Sequence, residues 1–329
     1  MNTPTLLHPL EYRRDAIRAI KAAKKRILLV AMVLTEDSAT DELIDALVEA
    51  SSRGIDVKIA ADIFTYGKFG GHLRPYKFFV KQSRATTAMV RRLEKSGVTF
   101  TWLGRFTLMP FTGRNHMKCL LVDDTVYSFG GVNIDQESFK NNDLMFKCLD
   151  TQLANQIYDV IMRIIDADDD NFAYRSHSFS YGSKSSVLID GGLQGDSIIF
   201  RRACELAKHA THITYVSQYN PTGKLARILK HANTDFYFND AINAPEANNR
   251  FIIRFGLLFH RVHTQYTRKK YLHAKFILFT MPDGKKVAIT GSYNFIWGAV
   301  LFGTREIALE TTDMGIISQL ESFFSKHIA

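Results

Sequence analysis

Three features that would point to particular classes of protein are absent from this 329-residue sequence. The chain has only three cysteines, an odd number without the paired spacing of a metal site or a disulfide framework. No apolar run approaches the length of a membrane span, and the first fifteen residues lack the apolar core of a signal peptide. We therefore expect reduced thiols and a cytoplasmic protein whose contact with a membrane is at most peripheral.

The composition is that of an ordinary globular protein, with 46% hydrophobic and 23% charged residues. The length favours about two domains. A net charge of +9 and a pI near 9.3 favour an anionic partner: a phosphodiester substrate, a nucleic acid or an acidic membrane surface. The alternative is that this basicity only aids solubility.

The two halves of the chain repeat the same order of elements: helix, strand, helix, strand. Such alternation predicts an α/β sandwich with a mostly parallel sheet in each half. The repeating unit is too long for a solenoid and indicates the duplication of one domain. Helices are predicted at 11–25, 40–54, 196–210 and 222–232, and strands at 26–34, 55–63, 211–219 and 234–238.

The boundary between the halves is expected after a helix at 150–167. Residues 168–186 are polar, contain Gly and Ser, and lack a hydrophobic period, so we interpret them as a linker. The predicted domains are 1–167 and 187–329.

A recurrent pattern begins in the stretch RNHMKCLLVDD at 114–124. Residues two apart on a strand share a face, so His116 and Lys118 are predicted to be neighbours on one face of a strand. The segment 125–131 is predicted to return as a hairpin and to bring Asn133 back towards the histidine.

The same pattern recurs in YLHAKFILF at 271–279, where His273 and Lys275 open a second apolar run. A longer hairpin then leads through Gly291 and Ser292 to Asn294. A single His-x-Lys pair on a strand is usually a solvated or hydrogen-bonded pair. Two composite matches at equivalent positions of a duplicated domain make coincidence a poor explanation.

Two His, two Lys and two Asn form a set suited to phosphoryl chemistry. Ammonium and amide groups donate to the non-bridging oxygens of a phosphate. One imidazole can attack phosphorus while the other protonates the leaving oxygen. The sequence contains no carboxylate-rich cluster or Cys/His ligand spacing, and we expect neither a metal nor another cofactor.

These residues resemble the signature of the phospholipase D superfamily: His-x-Lys, four residues, Asp, six residues, then Gly-Gly/Ser-x-Asn. The residues RNHMK and FGGVNI look most like the cardiolipin synthase branch. The resemblance implies two tandem, pseudo-two-fold related α/β/α sandwich domains that share one active site. The first motif matches at His116, Lys118, Asp123, Gly130, Gly131 and Asn133.

The resemblance also implies roles for further residues. Members place a carboxylate after each Asn to orient a catalytic His, and Asp143 and Glu306 occupy the matching places. By analogy His116 is the nucleophile and His273 the acid/base, while Asp123 is structural.

The second motif departs from the pattern, because Thr280 stands where the Asp is expected and Asp283 comes three residues late. We expect this change to affect the hairpin more than the chemistry. The first motif has Gly131 where many members have Ser, so only Ser292 can offer a hydroxyl to a phosphate.

Two basic, aromatic stretches, 72–95 and 249–271, are candidates for a rim that lies on an anionic bilayer. The alternative is that their aromatic residues belong to the core and their charges to a solvated face. The apolar stretch 106–111 is a candidate entrance for acyl chains.

Three functions remain open. The first is a phosphatidyltransferase, similar to cardiolipin synthases, that passes through a phosphohistidine. The second is a hydrolase of phospholipid or nucleic acid, and the third is an inactive member that only binds anionic lipid or nucleic acid. We expect the first, with phosphatidylglycerol or a similar anionic phospholipid as partner. The chain is expected to act as a monomer without an obligate protein partner, on the inner face of the membrane.

Overall fold

The structure, a computed structural model, describes residues 3–66, 81–104, 112–169, 173–244, 247–260 and 262–329. Within these residues, nine α-helices surround two seven-stranded sheets, and each half of the chain builds one sheet. The predicted α/β fold of two similar domains is confirmed. The division into residues 1–167 and 187–329 stays a prediction.

The first sheet has the strand order β1-β7-β6-β5-β2-β3-β4. Its buried strands are short apolar runs, and its helices each turn one apolar face towards it. The elements are β1 (Thr5–Leu7), α1 (Pro9–Ala22), β2 (Arg26–Ala31), α2 (Asp41–Ser52), β3 (Asp56–Asp62), α3 (Lys81–Lys95), β4 (Thr99–Leu103), β5 (Cys119–Val122), β6 (Thr125–Ser128), β7 (Met145–Leu149) and α4 (Thr151–Asp169).

The second sheet has the order β11-β10-β12-β13-β14-β9-β8, which repeats the central strands of the first. Strands β10, β12, β13 and β14 correspond to β2, β5, β6 and β7. The elements are β8 (His177–Tyr181), β9 (Ser185–Asp190), α5 (Ile198–His209), β10 (His212–Val216), α6 (Gly223–His231), β11 (Thr234–Tyr237), α7 (Ala247–His260), β12 (Phe276–Thr280), β13 (Lys286–Gly291), α8 (Trp297–Phe302), β14 (Glu306–Thr311) and α9 (Met314–His327).

The predicted predominance of parallel pairing is wrong. Four of the six strand pairs in the first sheet and five of the six in the second are antiparallel. The parallel neighbours, β2 with β3, β3 with β4, and β10 with β11, are joined by segments that contain helices. Hairpins such as β5–β6 and β12–β13 supply antiparallel neighbours, because a short turn can only reverse the chain.

The predicted linker 168–186 is also partly wrong. Helix α4 continues to Asp169, and β8 pairs with β9 as an edge strand of the second sheet. Only one side chain of β8 is fully buried, so its sequence HSFSY carries little of the hydrophobic signal by which a strand is recognised.

One hydrophobic core joins the two halves. It contains Leu28 and Phe146 from the first sheet and Ile307 from the second, together with apolar side chains of α4 and α9. Separate clusters cover the outer faces, under α1 to α3 in the first half and under α5, α6 and α8 in the second. The two sheets therefore pack against a shared interior. None of the helices that the structure describes has the length and apolar content to cross a bilayer.

Candidate active site

The two His-x-Lys segments lie just before strands and not on them, contrary to the prediction. Strand β5 begins at Cys119, after Lys118, and β12 begins at Phe276, after Lys275. Both segments are nevertheless buried. The reason is that each segment pairs with the opposite half of the chain before it joins its own sheet.

This pairing consists of two short parallel bridges that are related by the duplication. The first joins Asn115 to Arg305, and the second joins Asn142 to Leu272. In the first bridge, the amide of His116 donates to the carbonyl oxygen of Arg305 at 2.8 Å. In the second, the amide of His273 donates to the carbonyl oxygen of Asn142 at 2.8 Å. Each bridge thus places a histidine of one half beside a residue of the other half, namely the residue that follows Arg305 or Asn142.

The residue that follows is in each case a carboxylate. Nδ1 of His116 lies 3.0 Å from the carboxylate of Glu306, and Nδ1 of His273 lies 2.7 Å from that of Asp143. The two halves therefore exchange carboxylates across their interface. Because Nδ1 of each ring is engaged, Nε2 is the nitrogen left for chemistry on phosphorus.

The two carboxylates have different proton affinities. Burial raises the pKa of Glu306 to about 7, although Lys118, Ser292 and Lys275 oppose the shift. Burial by itself would also raise the pKa of Asp143. The charge and hydrogen bond of His273, together with Lys275, outweigh burial and lower the pKa of this carboxyl below 3.8. Asp143 is therefore ionised near neutral pH, whereas Glu306 is only partly so.

The pKa values of the histidines and lysines at this site are all lowered, which favours their neutral forms. Burial, followed by the neighbouring Lys118 and Lys275, lowers the pKa of His116 well below 6.5. Burial and Lys275 lower the pKa of His273 to about 4, against the effect of Asp143. Burial lowers the pKa of Lys275 to about 8, and burial together with Lys275 lowers that of Lys118. An anion bound among these groups would favour their charged forms and be attracted by them.

The two asparagines present unsatisfied groups at the same site. Asn133 and Asn294 are more than 90% buried, and the Oδ1 atom of each has no hydrogen-bond partner. A buried amide oxygen without a partner is costly unless a ligand or water satisfies it. Substrate binding by the two asparagines stays a prediction.

Gly131 and Ser292, predicted to bind substrate, each contact a carboxylate. The Ser292 hydroxyl donates to Glu306, and the Gly131 amide donates to Asp143 at 3.2 Å. A Cβ at Gly131 would lie 2.8 Å from both carboxylate oxygens, so a side chain there would displace Asp143. Both residues hold the groups that orient the histidines, and a direct contact with phosphate stays a prediction.

Gly130 and Gly291, each three residues before a motif asparagine, allow neighbouring backbone to approach closely. A Cβ at Gly130 would lie 1.9 Å from the carbonyl oxygen of Leu144, and one at Gly291 would lie 2.3 Å from that of Ile307. No side chain could be accommodated at either position without moving a neighbouring strand.

Asp123, for which the resemblance implied a structural role, lies in the turn between β5 and β6. Its carboxylate accepts hydrogen bonds from the amides of Lys24, Lys25 and Arg26 at 2.9, 2.8 and 3.1 Å. It thereby fixes the β5–β6 turn to the start of β2.

The second half makes the equivalent connection with backbone. The carbonyl oxygen of Thr280 accepts from the amide of Thr211 at 2.8 Å, just before β10. Asp283 does not replace the missing carboxylate, because it is fully exposed and pairs with Lys285 in the hairpin. The change at Thr280 therefore alters the anchor of the hairpin and leaves the histidine segment intact.

Two positioning residues were missed by the sequence analysis. Asp62 accepts from the amide of Asn115 at 2.7 Å and pairs with Arg114. Asn239 accepts from the amide of Leu272 at 2.9 Å, at the equivalent place in the second half. Both side chains are buried. The available signal was a polar residue at the carboxyl end of an apolar parallel strand, where functional groups of α/β proteins often lie.

The predicted membrane segments are only partly described. The stretch 106–111 and the part of 72–95 before residue 81 lie outside the described residues. Helix α3, which forms the rest of 72–95, turns Met89 and Leu93 into the core. The aromatic residues of this stretch lie outside the described residues, so the two interpretations of it stay open. The stretch 249–271 contributes most of helix α7.

Comparison with known proteins agrees with this geometry. Residues 16–165 match the family model described as "Cardiolipin synthase, PLD-like domain". Cardiolipin synthase A of Pseudomonas aeruginosa is 27% identical over 124 residues, which cover 36% of this chain and 22% of that protein. Cardiolipin synthase A of Pseudomonas syringae is 28% identical over 120 residues, with the same coverage. These matches span about a fifth of the curated relatives.

Solved structures with the same fold match nearly the whole chain. Phosphatidylserine synthase of Haemophilus influenzae has a TM-score of 0.73 at 16% identity, over 98% of this chain and 85% of that one. Polyphosphate kinase of Porphyromonas gingivalis has a TM-score of 0.63 at 15% identity, over 97% of this chain and 49% of that one. Residues 16–165 are thus similar to a PLD-like domain, and nearly the whole chain shares the fold of phosphatidylserine synthase.

Proposed function

We propose that this protein is a phosphatidyltransferase similar to cardiolipin synthases, which moves a phosphatidyl group between alcohols through a phosphohistidine. The observation that carries the proposal is the reciprocal pairing of His116 with Glu306 and of His273 with Asp143. It holds two imidazoles, one from each half, through Nδ1 in a single buried cluster. Two-step transfer needs one nucleophile and one acid/base, and this cluster supplies both.

In the first step, Nε2 of His116 attacks the phosphorus of a phospholipid phosphodiester. A P–N bond forms, and the P–O bond to the leaving alcohol breaks. Protonated His273 gives its proton to the leaving oxygen. The pKa of His273 is about 4 without substrate, so the anionic phosphate must raise it for this step.

In the second step, His273 takes the proton of an acceptor alcohol, whose oxygen attacks the phosphohistidine. The P–N bond breaks, and His116 is restored. In both steps Lys118, Lys275 and the amides of the two asparagines stabilise charge on the phosphoryl oxygens.

The unequal carboxylates support this division of roles. The acid/base must carry a proton through part of the cycle, and an ionised carboxylate stabilises the resulting imidazolium. Asp143, whose pKa is lowered, lies beside His273. Glu306, whose pKa is about 7, lies beside the proposed nucleophile.

We further propose an anionic phospholipid such as phosphatidylglycerol as donor, a lipid alcohol as acceptor, and a monomer at the inner face of the membrane. The similarity of residues 16–165 to cardiolipin synthases supports the lipid class. The net charge of +9 supports an anionic substrate. Hydrolysis of phospholipid or of nucleic acid is the second candidate, since the same site would then accept water.

The test is product analysis by mass spectrometry after incubation with phosphatidylglycerol vesicles in EDTA, with the His116→Asn variant as control. Cardiolipin and glycerol from the wild type alone are the expected products. Phosphatidic acid would assign hydrolysis instead, and products that are equally abundant with His116→Asn would overturn the mechanism.

A further inference from the structure

Large apolar side chains are exposed together on one part of the second half. Six of them, which we call the apolar patch, are between 42% and 82% exposed. Exposed apolar groups of this size normally mark an interaction surface when they are contiguous. The apolar patch consists of Ile242, Phe251, Phe255, Leu258, Trp297 and Leu301.

Helix α7 carries half of the apolar patch on its outward face. Phe251, Phe255 and Leu258 follow one another at helical spacings of four and three residues, so they share one face. The rings of Phe251 and Phe255 stack with centroids 5.7 Å apart. Ile253 and Gly256 are buried on the opposite side. An amphipathic helix that only completed the fold would turn its large apolar groups inward.

Helices α7 and α8 are brought together by the loop that follows β10. A Cβ at Gly256 of α7 would lie 2.4 Å from Nδ2 of Asn220, so helix and loop are in direct contact. At the start of α8, the amide of Trp297 donates to Oγ1 of Thr222 at 2.7 Å. Both helices therefore flank a single loop. Ile253 of α7, Ala241 next to Ile242, and Ile296 next to Trp297 pack in one apolar cluster, which brings these elements together.

The same loop borders the candidate active site. The Ser217 hydroxyl, at the start of the loop, donates to the carbonyl oxygen of Asn294 at 3.1 Å. Asn294 also lies three residues before Trp297. The apolar patch thus adjoins the part of the molecule that would hold the phosphodiester.

The charges of these helices restrict the class of partner. Helix α7 contains Arg250 and Arg254 and no acidic residue, and α8 has no charged residue. Arg254 is exposed beside the phenylalanines. Aromatic and aliphatic groups interleaved with arginine match the boundary between phosphate headgroups and acyl chains.

We propose that the apolar patch docks this protein on the surface of an anionic phospholipid bilayer. Phe251, Phe255, Leu258 and Trp297 enter the acyl boundary, and Arg254 lies among the phosphates. The inference rests on the proposed function and deepens it, since it names the surface that brings the catalytic histidines to their lipid.

The experiment compares vesicle sedimentation of the wild type with that of a Phe251→Ser/Phe255→Ser variant. Vesicles contain either phosphatidylcholine alone or phosphatidylcholine with phosphatidylglycerol. A Leu10→Ser/Leu149→Ser variant is the matched control, because these leucines are 55% and 56% exposed outside the apolar patch. The expected result is binding to the anionic vesicles that falls about tenfold or more in the phenylalanine variant and is unchanged in the control.

Equal binding by the wild type and the phenylalanine variant would overturn the proposal, as would failure of the wild type to bind anionic vesicles. A wild-type dimer in sedimentation velocity that the phenylalanine variant abolishes would assign the patch to a second copy of the chain instead.

Hydrolysis of a soluble phosphodiester, bis(4-nitrophenyl) phosphate, separates this inference from the proposed function. The phenylalanine variant should keep the wild-type rate on it. Patch-dependent vesicle binding without turnover of any phosphodiester would sink the proposed function and leave docking in place. Turnover of phosphodiesters, combined with equal vesicle binding by the wild type and the phenylalanine variant, would overturn the docking proposal and leave the proposed function in place.

Discussion

At the scale of single residues, the central feature is that each motif histidine pairs with a carboxylate from the other half. His116 and Glu306 are separated by 190 positions in the chain, and His273 and Asp143 by 130. The sequence identified all four residues, since the motif spacing and the family resemblance mark them. It could not pair them, because pairing depends on two bridges between the halves that leave no local pattern.

Glu306 provides a residue-scale prediction about stability and pH. Burial raises the pKa of this carboxyl from 4.5 to about 7. The folded state therefore keeps a proton that the unfolded chain releases, and Glu306 costs stability progressively as the pH rises from 4.5 to 7. Glu306→Gln removes this cost and can keep the hydrogen bond to Nδ1 of His116. The free energy of unfolding of Glu306→Gln minus that of the wild type should therefore be larger at pH 8 than at pH 5, by on the order of 1–3 kcal/mol.

Urea unfolding at both pH values measures this difference, and Glu310→Gln is the matched control on the same strand. Glu310 pairs with Arg202, so its replacement should lower stability at both pH values. Turnover by Glu306→Gln should fall about 10²-fold or more, because an amide holds the imidazole tautomer poorly. A stability difference between Glu306→Gln and wild type that is the same at pH 5 and pH 8 would refute the account of this carboxyl.

At the scale of elements, Asp123 explains why the first motif continues beyond its histidine and lysine. The three amides that it binds belong to the segment that joins α1 to β2. We expect Asp123→Ala to lose about 1–3 kcal/mol of stability, because three backbone donors, that of Arg26 half-buried, lose a charged acceptor. Turnover by the folded protein should remain within a few-fold of wild type.

The matched comparison is Asp283→Ala in the second hairpin, where the carboxylate is exposed and binds only Lys285. Its effect on thermal unfolding should stay within about 0.5 kcal/mol. If both variants lost the same stability, the role given to Asp123 as the anchor of β5 would be wrong.

The elements that the sequence predicted well are those whose faces differ in polarity. Helices α1, α2, α5 and α6 and strands β2, β3 and β10 lie within a few residues of their predicted places. The edge strand β8 was missed, because a strand that is exposed on most of its length needs no apolar period. The pairing of the sheets was mistaken because the antiparallel hairpins, although recognised, were given less weight than the helical crossovers.

At the scale of the whole molecule, the two halves form one unit with a shared core and a single candidate active site. Side chains from both sheets, α4 and α9 belong to the same hydrophobic interior. Each of the two motif histidines pairs with a carboxylate of the other half. A duplicated chain can therefore supply within one molecule what two separate domains would have to assemble by pairing.

The account's central claim is this single, shared site, and the most direct test is the activity of His116→Asn, of His273→Asn and of their equimolar mixture. Each protein is assayed on phosphatidylglycerol vesicles and on bis(4-nitrophenyl) phosphate, after circular dichroism has shown that it is folded. The account predicts that each variant loses about 10³-fold or more of the turnover rate, and that the mixture recovers nothing. Appreciable turnover by either variant, or recovery in the mixture, would contradict a site built from both histidines of one chain.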